Sequence, residues 1–278
     1  MNRLISCFAN SYLKFGLDAA VEHLPSIGIQ NIEFPIRTEG TPTFFGDTPW
    51  LTDASTETEA VAALEKVQSA GLQVSSANAS SGNPLEPKVL QVTLRKLRVA
   101  AALNVTRVVG GAGECESEAD RPQLMKHLED IGNLAADLGI VYCFETHPGV
   151  SVNPTEMQRT MKELDHPNLR LNYDTGNITY YNRDVDVLEG LRSVRDFVGH
   201  VHLKDHNGQL KDWYFPALGE GGSVDFVAVR ETLDEIGFTG PYSLEIEGIT
   251  GETPELARCN QRLADCMQHL RKCGFLDD

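Results

Sequence analysis

The sequence predicts an α/β fold, a single (β/α)8 barrel that takes in residues 1–278 as one domain. Two observations predict it. Short apolar strands alternate with helical stretches along the whole chain without a break in composition, and eight strand–helix units fit into 278 residues. Such alternation implies parallel strands joined by right-handed crossovers. A doubly wound open sheet would show the same alternation and is the alternative architecture.

The eight predicted strands are short apolar runs, and the predicted helices have amphipathic spacing and in several cases stop at a glycine. The strands cover residues 3–9, 30–35, 72–78, 105–110, 140–145, 169–174, 197–205 and 242–247. The helices cover residues 18–26, 56–70, 87–103, 121–138, 155–164, 184–194, 225–236 and 254–272. Two long loops, residues 38–53 and 206–223, carry aromatic side chains, and loops of this length are usually functional.

The composition excludes several classes of partner. The formal net charge of −16 disfavours a nucleic-acid partner, because such proteins normally carry the opposite charge. No stretch reaches the roughly 20 apolar residues that a membrane span needs. The six cysteines contain no C-x-x-C pair, which indicates reduced thiols and a cytoplasmic location. Association into a homo-oligomer stays open.

The segment FVGHVHLKD, residues 197–205, carries His200, His202 and Lys204 at every second position. Alternate side chains of a strand point to the same face. We therefore expect two imidazoles and an ammonium group on one face of the seventh strand, near its C-terminal end. A buried strand has no structural need for three such groups, so we expect them to face a polar site.

Four consecutive predicted strands end in residues that can bind a metal. They are Glu145, Asp174, His202 and Glu245, and the active site of such a barrel lies at these strand ends. Three carboxylates with one imidazole suit Mn²⁺ or Mg²⁺, and Co²⁺ or Zn²⁺ can also be held by such a set. Without a cation the three carboxylates would raise one another's pKa. The sequence therefore predicts a divalent metal site, with Mn²⁺ as the expected ion.

Each of these residues can also have a purely structural role. A single carboxylate at a strand end is usually a helix cap or a surface charge, and Asp174 before Thr-Gly can simply start a turn. His200 can be a hydrogen-bonded core histidine, and Lys204 or His147 can form a salt bridge. Four ligand types at successive strand ends are hard to assign to chance. We expect substrate contacts from His200, Glu247, Asn177, Trp213 and Phe45.

Five segments, FETHPG, NYDTGN, GHVHLKD, LGEG followed by VDF, and GPYSLEIEG, resemble the xylose isomerase-like TIM-barrel superfamily, the sugar phosphate isomerase/epimerase group. The resemblance covers essentially the whole chain. It implies a TIM barrel whose metal ligands fall on Glu145, Asp174, His202 and Glu245. In the ketose 3-epimerases of this superfamily the two metal-bound glutamates also move the proton, which implies that role for Glu145 and Glu245.

The chain departs from those epimerases at three positions. They carry Glu, Arg and His where this chain has Ser151, Gly208 and Asn177. The DTGN and HVHLKD segments look closer to inosose dehydratases, in which a metal enolises a keto-sugar and a hydroxyl group is lost. In that reading Lys204 or His147 is an acid/base group.

The sequence thus predicts a divalent-metal-dependent isomerase or epimerase for a small polyhydroxylated carbonyl compound. It would remove a proton next to the carbonyl through a metal-stabilised enediolate. The alternative is a dehydratase or lyase acting on a keto-sugar or keto-inositol, and a remote alternative is a non-catalytic sugar-binding barrel. Metal-dependent endonucleases of the same superfamily resemble a more His-rich site on a basic surface, which this acidic chain does not predict.

Overall fold

The computed structural model describes residues 3–276, and its centre is a closed barrel of eight parallel strands. The strands are β1 Ile5–Phe8, β2 Asn31–Arg37, β3 Gln73–Asn78, β4 Arg107–Gly110, β5 Val141–Glu145, β6 Leu169–Asp174, β7 Val198–Leu203 and β8 Tyr242–Leu244. Each strand pairs with its neighbours in the sequence, and β8 pairs with β1. This closure confirms the predicted (β/α)8 barrel and shows that the open-sheet alternative is wrong.

Nine α-helices occur among residues 3–276. They are α1 Gly16–His23, α2 Glu57–Ser69, α3 Pro87–Ala102, α4 Arg121–Asp137, α5 Pro154–Leu164, α6 Asn177–Tyr181, α7 Val187–Val194, α8 Phe226–Asp234 and α9 Leu256–Lys272. Polar residues cap several of them: Thr56 and Glu59 form a reciprocal capping box on α2, and the side chains of Asn153, Asp186 and Asp225 cap α5, α7 and α8. None of the helices in the described part of the chain has the length and apolar character needed to cross a membrane.

The structure differs from the predicted elements mainly near the C-terminal ends of the strands. Strand β8 ends at Leu244, so Glu245 and Glu247 follow it in irregular backbone rather than inside it. The one-turn helix α6 follows β6 directly and was not predicted, because five residues carry too little periodicity to identify a helix. The two long loops contain short strands: Leu51–Thr52 pairs with β2, and Tyr214–Phe215 pairs with Gly248–Ile249.

The interior of the barrel is unusually polar. All residues of β7 are buried, and the rings of His200 and His202, two positions apart in this strand, lie 5.3 Å from each other. Barrels of this type usually fill their interior with branched apolar side chains. Here the buried polar side chains include Glu33, Ser76, Asn172, His200 and His202. Buried polar groups need hydrogen-bond partners, so these residues must satisfy one another or a ligand.

Candidate metal centre and active site

Three carboxylates and one imidazole converge at the C-terminal end of the barrel. Glu145 and Asp174 are the last residues of β5 and β6, His202 lies in β7, and Glu245 directly follows β8. One potential ligand atom from each residue lies within 4.8 Å of the others, and all four residues are buried. The structure therefore brings the four predicted ligands together in one cluster.

The imidazole of His202 lies at the centre of this cluster. Its Nδ1 atom is 3.2 Å from Oε1 of Glu145, 3.1 Å from Oε2 of Glu245 and 3.8 Å from Oδ2 of Asp174. The ring stacks on Phe8 with a centroid distance of 5.8 Å. Burial lowers the pKa of His202, but the surrounding carboxylates outweigh burial and hold that pKa well above its usual value. In the absence of another cation, the ring is protonated and partly balances the carboxylates.

The two oxygens of Asp174 face different partners. Its Oδ1 atom accepts hydrogen bonds from the backbone N–H groups of Gly176 and Asn177, both at 2.8 Å. The structure thus also bears out the turn-starting role of this residue. The Oδ2 atom points into the cluster. Burial raises the pKa of Asp174, but the Lys204 ammonium and the His202 ring outweigh burial and hold that pKa well below its usual value.

Glu145 is fixed through its side chain and its backbone. The amide nitrogen of Asn172 donates to its Oε2 atom at 3.1 Å. The hydroxyl of Ser151 donates to the backbone oxygen of Glu145 at 2.6 Å. Burial is the largest influence on the side chain and raises the pKa of Glu145. Ser151, at a position where the ketose 3-epimerases carry a glutamate, therefore holds the backbone of a predicted ligand.

The chemistry of this cluster fits a divalent cation. Oδ2 of Asp174 and Oε2 of Glu245 are buried, and among the described residues they have ion-pair contacts with Lys204 but no well-aligned hydrogen bond. Buried carboxylate oxygens are costly unless a cation or donor compensates them. Oxygen-rich sites with one imidazole are typical of Mn²⁺ and Mg²⁺. The four residues can hold such an ion through Nδ1 of His202 and one oxygen from each carboxylate.

Lys204 lies beside the cluster and is only 1% exposed. Its Nζ atom is 3.2 Å from Oδ2 of Asp174, 2.7 Å from Oε2 of Glu245 and 2.8 Å from Oε2 of Glu247. Burial lowers the pKa of Lys204, but these carboxylates outweigh burial and keep that pKa well above its usual value. Lys204 thus forms the salt bridges that the sequence suggested as an alternative to a catalytic role. The same contacts place its ammonium at the candidate site.

Glu247 and Asn177 are held by this lysine. The side chain of Glu247 is 14% exposed, and burial raises its pKa more than the Lys204 ammonium lowers it. The amide oxygen of Asn177 lies 3.3 Å from Nζ of Lys204, and its amide nitrogen donates to the backbone oxygen of Thr146. Asn177 therefore links the lysine to the end of β5, while the oxygens of Glu247 reach the edge of the site.

His200 lies deeper in the barrel than the four clustered residues. It is fully buried, with Nδ1 at 2.8 Å from Oδ1 of Asn172 and Nε2 at 3.1 Å from the hydroxyl of Ser76. Burial lowers the pKa of His200 to about 3, so the ring is neutral. Both ring nitrogens have protein partners, which is the geometry expected of the core-histidine alternative.

His147 stands at the mouth of the site. Its Nε2 atom lies 3.0 Å from the hydroxyl of Tyr181, a residue of α6, and the imidazole is exposed. Next to it is a cavity of about 350 Å³. The cavity is lined by Ser80, Ser81, Gly82, Asn83, Gly111, Ala112, Gly113, Glu114, Glu145, His147 and Pro148. The glycine-rich turn after β4 forms part of this wall.

Aromatic side chains from the two long loops meet above the barrel. The ring of Phe44 is 78% exposed, yet its centroid lies 5.7 Å from that of Trp213. Phe45 packs edge-on against Phe44 at 4.9 Å. Trp213 also donates from Nε1 to the backbone oxygen of Glu247 at 3.4 Å, and the Phe215 ring lies 4.8 Å from Nζ of Lys204. The second loop therefore covers the lysine directly.

Several residues outside the predicted set also support this site. Glu33 accepts from Nε2 of His202 at 2.9 Å, and Asn172 contacts Glu145, His200 and His202. Tyr181 and Phe215 lie next to predicted site residues. Glu33 and Asn172 are each a polar residue within a largely apolar strand, and this pattern in the sequence could have marked them as candidate site residues. The sequence does not reveal which residue across the barrel each of them contacts.

Two relatives are similar to parts of this chain. Inosose dehydratase from Geobacillus thermodenitrificans is 29% identical over 175 residues, which cover 57% of this chain and 57% of the relative. An uncharacterized protein from Methanocaldococcus jannaschii is 30% identical over 126 residues, 44% of this chain and 42% of the relative. The matched segments thus span about half the length of these curated relatives.

Solved structures match the fold over nearly the whole chain. A xylose isomerase domain protein from Planctomyces limnophilus has a TM-score of 0.77 at 20% identity, covering 98% of both chains. D-psicose 3-epimerase from Clostridium cellulolyticum, solved with D-tagatose, has a TM-score of 0.75 at 14% identity, covering 97% of this chain and 99% of that one. A Mycobacterium smegmatis protein in complex with magnesium has a TM-score of 0.73 at 17% identity, covering 98% and 97%.

At these identities the solved structures establish the fold alone. The sequence itself matches the model of one family, described as xylose isomerase-like TIM barrel, over residues 21–273. That match includes all four clustered residues and both long loops. The chain therefore belongs to the xylose isomerase-like TIM barrel family.

Proposed function

We propose that this protein is a divalent-metal-dependent isomerase or epimerase that removes a proton next to the carbonyl of a small polyhydroxylated compound. The observation that carries the proposal is the buried cluster of Glu145, Asp174, His202 and Glu245 at the C-terminal end of the barrel. Relatives in the family include inosose dehydratase, and structural neighbours include ketose 3-epimerases. Both names describe chemistry on polyhydroxylated substrates.

The proton transfer is assigned to Glu145 and Glu245. A bound Mn²⁺ or a similar ion would supply Lewis acidity toward a carbonyl oxygen and an adjacent hydroxyl oxygen of the substrate. Glu145 and Glu245 come from strands β5 and β8, so they approach the centre of the site from different sides. One carboxylate can take the proton and the other can deliver one to the opposite face, which is the requirement for epimerisation.

We assign Lys204 and His147 the role of donating protons to, or accepting them from, the substrate oxygens. Lys204 already has its ammonium beside Glu245, and His147 stands where the cavity opens. A group that donates to a substrate oxygen lowers the barrier to removing the neighbouring C–H proton. Glu247 and Asn177 hold the lysine in position for this role.

The cavity next to Glu145 indicates the kind of substrate. Its lining offers serine hydroxyls, an asparagine amide and glycine backbone, with no lysine or arginine among the described lining residues. Phosphate groups are normally bound by Arg, Lys or clustered backbone N–H groups. We therefore assign this space to the hydroxyl-bearing, uncharged part of a sugar or cyclic polyol. Trp213, Phe44 and Phe45 lie outside its lining, and we assign them to C–H faces of the substrate beyond the cavity.

A second candidate is a dehydratase that loses a hydroxyl group after the proton is removed. It is supported by the similarity to inosose dehydratase and by the Lys204 ammonium, which can protonate a departing hydroxyl. Isomerisation, epimerisation and elimination share the first step. They differ in whether the proton returns to carbon or a β-substituent leaves.

Proton exchange in D₂O tests the shared step. The protein with Mn²⁺ is incubated with ketoses, aldoses and keto-inositols and followed by NMR, and we expect deuterium at a carbon next to a carbonyl. Glu245→Gln should reduce exchange by about 10²–10⁴-fold, because a general base contributes that much. Glu116→Gln, an exposed glutamate outside the site, is the matched control and should exchange at the wild-type rate.

The products separate the two candidates. A stereoisomer or an aldose–ketose pair supports the isomerase or epimerase. A product one water lighter supports the dehydratase. Binding of the sugars without exchange or turnover, with Mn²⁺ bound, would contradict both enzymatic functions and leave a sugar-binding barrel.

A further inference from the structure

Glu33 is a fully buried carboxylate inside the barrel, and neither the sequence motifs nor the proposed chemistry uses it. It lies in β2, and its side chain reaches across the barrel interior to β7. A carboxylate without solvent is costly unless it is paired and hydrogen-bonded. Both oxygens of Glu33 face donors: Nε2 of His202 lies within hydrogen-bond distance of each, and the amide nitrogen of Asn78 donates to Oε1. Glu33 is therefore placed as a carboxylate acceptor.

The main partner of Glu33 is the Nε2 atom of His202. The distances from Nε2 to the two carboxylate oxygens of Glu33 are 2.9 and 3.2 Å. The amide nitrogen of Asn78 donates to Oε1 of Glu33 at 3.2 Å and limits its rotation. Because an ionised carboxylate can only accept, Nε2 of His202 carries a proton. The opposite nitrogen, Nδ1, then points at Glu145, Asp174 and Glu245.

The proton positions on His200 follow from its neighbours. Oε2 of Glu145 can only accept, so the atom of Asn172 that faces it is the amide nitrogen, and Oδ1 of Asn172 faces His200. Nδ1 of His200 therefore carries a proton, and Nε2 lies 3.1 Å from the hydroxyl of Ser76, which can donate to it. Hydrogen bonds run in one direction from Ser76 through His200 and Asn172 to Glu145.

Among the described residues, His202 is the imidazole within hydrogen-bond distance of Glu33. Nε2 of His200 lies 3.6 Å from Oε2 of Glu33, too far for a hydrogen bond, and has the Ser76 hydroxyl as its partner. Without a metal, Nδ1 of His202 faces the acceptor oxygens of Glu145 and Glu245 and carries a second proton. When an ion takes the place of that proton, the contact with Glu33 keeps the remaining proton on Nε2 and leaves the Nδ1 lone pair to the ion.

We propose that Glu33 is a positioning residue of the candidate metal centre. It holds His202 with Nε2 protonated and Nδ1 directed at the three carboxylates, while Ser76, His200 and Asn172 orient Glu145. The inference rests on the proposed metal site and goes beyond it, because it assigns a role to a residue that touches neither metal nor substrate. Partners of this kind raise metal affinity by fixing the orientation of a histidine ligand.

A competing arrangement uses the same atoms. Ligand atoms of Glu33, His200 and His202 also lie within 4.8 Å of one another, so a second ion could in principle bind there. Such an ion would have to displace the Ser76 hydroxyl from His200 and the Nε2 proton from His202. Each of these atoms already has a well-formed hydrogen bond in the structure. We therefore assign the three residues to orientation of one metal site.

The test compares metal binding by the wild-type protein with that by Glu33→Gln, measured by titration calorimetry with Mn²⁺. We expect one equivalent of Mn²⁺ in both proteins and a Kd about 10–100-fold higher in the variant. Ser6→Ala alters another buried polar residue of the barrel, one that contacts Ser75 and not the cluster, and its Kd should match wild type. Thermal unfolding without metal establishes that each variant is folded.

An NMR measurement separates positioning from a merely structural role. Histidine ring ¹⁵N spectra of the Mg²⁺-loaded protein should show His202 protonated on Nε2 alone. In Glu33→Gln we expect a population protonated on Nδ1, because the glutamine amide can donate to Nε2. If Glu33→Gln does not fold, Glu33→Asp is the second variant. Its side chain keeps the carboxylate but is one methylene shorter, so the carboxylate lies farther from Nε2 of His202, and the Kd for Mn²⁺ should rise at least threefold.

The outcomes are distinguishable. An unchanged Kd with an unchanged ring protonation in Glu33→Gln would overturn the proposal, and so would two equivalents of Mn²⁺ in wild type falling to one in the variant. Wild-type protein that binds no Mn²⁺ would overturn both this proposal and the proposed function. Wild-type protein that binds Mn²⁺ but catalyses no exchange would contradict the proposed function alone. The Kd of Glu33→Gln for Mn²⁺, compared with that of wild type, would still test the role of Glu33.

Discussion

The ammonium of Lys204 lies 2.7 Å from Oε2 of Glu245, the same oxygen that lies 3.1 Å from Nδ1 of His202. One carboxylate oxygen is thus shared by the two cationic side chains of the site. Neither contact alone balances the charge of Asp174, Glu145, Glu245 and Glu247. The protein without metal depends on both.

Replacing Lys204 should therefore destabilise the metal-free protein strongly. In Lys204→Met, the buried carboxylates lose a cation, and breaking a buried pair of this kind costs about 3–5 kcal/mol. Urea unfolding without metal measures this loss. Adding Mn²⁺ should recover part of it, because the ion compensates the same carboxylates.

Lys126→Met is the matched control for that experiment. Lys126 pairs with Asp130 at 3.5 Å on the surface of α4, with both side chains exposed. Exposed pairs contribute about 0–1 kcal/mol, so the free energy of unfolding should change little and should show no added dependence on Mn²⁺. A Lys204→Met protein as stable as Lys126→Met would contradict the charge balance inferred here.

Metal binding should raise the melting temperature of the wild-type protein. At a free Mn²⁺ concentration 100 times the Kd, the native state gains about 2.7 kcal/mol. For a chain of this size each kcal/mol raises Tm by roughly 2–4 °C, so we expect a rise of about 5–10 °C in differential scanning calorimetry, reversed by a chelator.

Asp174→Asn should abolish most of that rise, because Oδ2 of Asp174 points into the cluster and is one of the carboxylate oxygens that would bind the ion. Asp137→Asn, at the exposed end of α4, should keep it. An equal rise in both variants would show that Mn²⁺ binds elsewhere.

The two aromatic loops should close over bound substrate. Phe44 and Trp213 come from different loops and already contact each other, although Phe44 is largely exposed. We expect substrate to slow proteolysis of both residues 38–53 and residues 206–223. Phe44→Ala should raise KM by about 2- to 10-fold, since an aromatic contact contributes about 0.5–1.5 kcal/mol.

Val227→Ala removes an exposed apolar side chain on α8 and is the control for this change. Its KM and its proteolysis pattern should match wild type. Proteolysis of both loops that is the same with and without substrate would argue against a lid.

The free energy of unfolding should rise with pH because of Lys96, a buried lysine that donates to the backbone oxygen of Ser80 at 2.6 Å. Burial lowers the pKa of Lys96 to about 8, while an unfolded lysine has a pKa of about 10.4. Between these values the unfolded chain binds a proton that the folded chain lacks, so stability increases with pH. The gain is about 3 kcal/mol, present above pH 10.4 and absent below pH 8.

The difference in unfolding free energy between wild type and Lys96→Met isolates this effect from that of other groups that titrate in the same range. The difference should shift in favour of wild type between pH 7.5 and 10.5. Lys88→Met, exposed on the same helix, should give a constant difference. A constant difference for Lys96→Met as well would show that the lysine is charged in the folded protein.

The sequence predicted the fold well because strand–helix alternation is a local signal that repeats eight times. The count of eight units favours a closed barrel, although the same alternation also fits an open doubly wound sheet, and the pairing of β8 with β1 decides between them. The four clustered residues could be predicted for a related reason. Parallel strands in a barrel place all their C-terminal ends together, so residues such as Glu145 and Asp174 need no further information to be placed near each other.

Contacts across the barrel interior could not be predicted in this way. Glu33 lies in β2 and His202 in β7, and their hydrogen bond depends on the register and tilt of strands that do not pair with each other. Helix α6 was missed because it is one turn long and is held by Asp174 rather than by its own periodicity. Such features depend on tertiary contacts between residues that local patterns do not connect.

Asp174 links the candidate metal centre to α6. One of its oxygens is bonded to the backbone at the start of α6, and that helix carries Tyr180, which packs on Trp213, and Tyr181, which is bonded to His147. Asp174, the first turn of α6, Trp213 and His147 are therefore joined by one continuous chain of contacts. The strand ends that would hold an ion and the aromatic rim of the site belong to one connected unit.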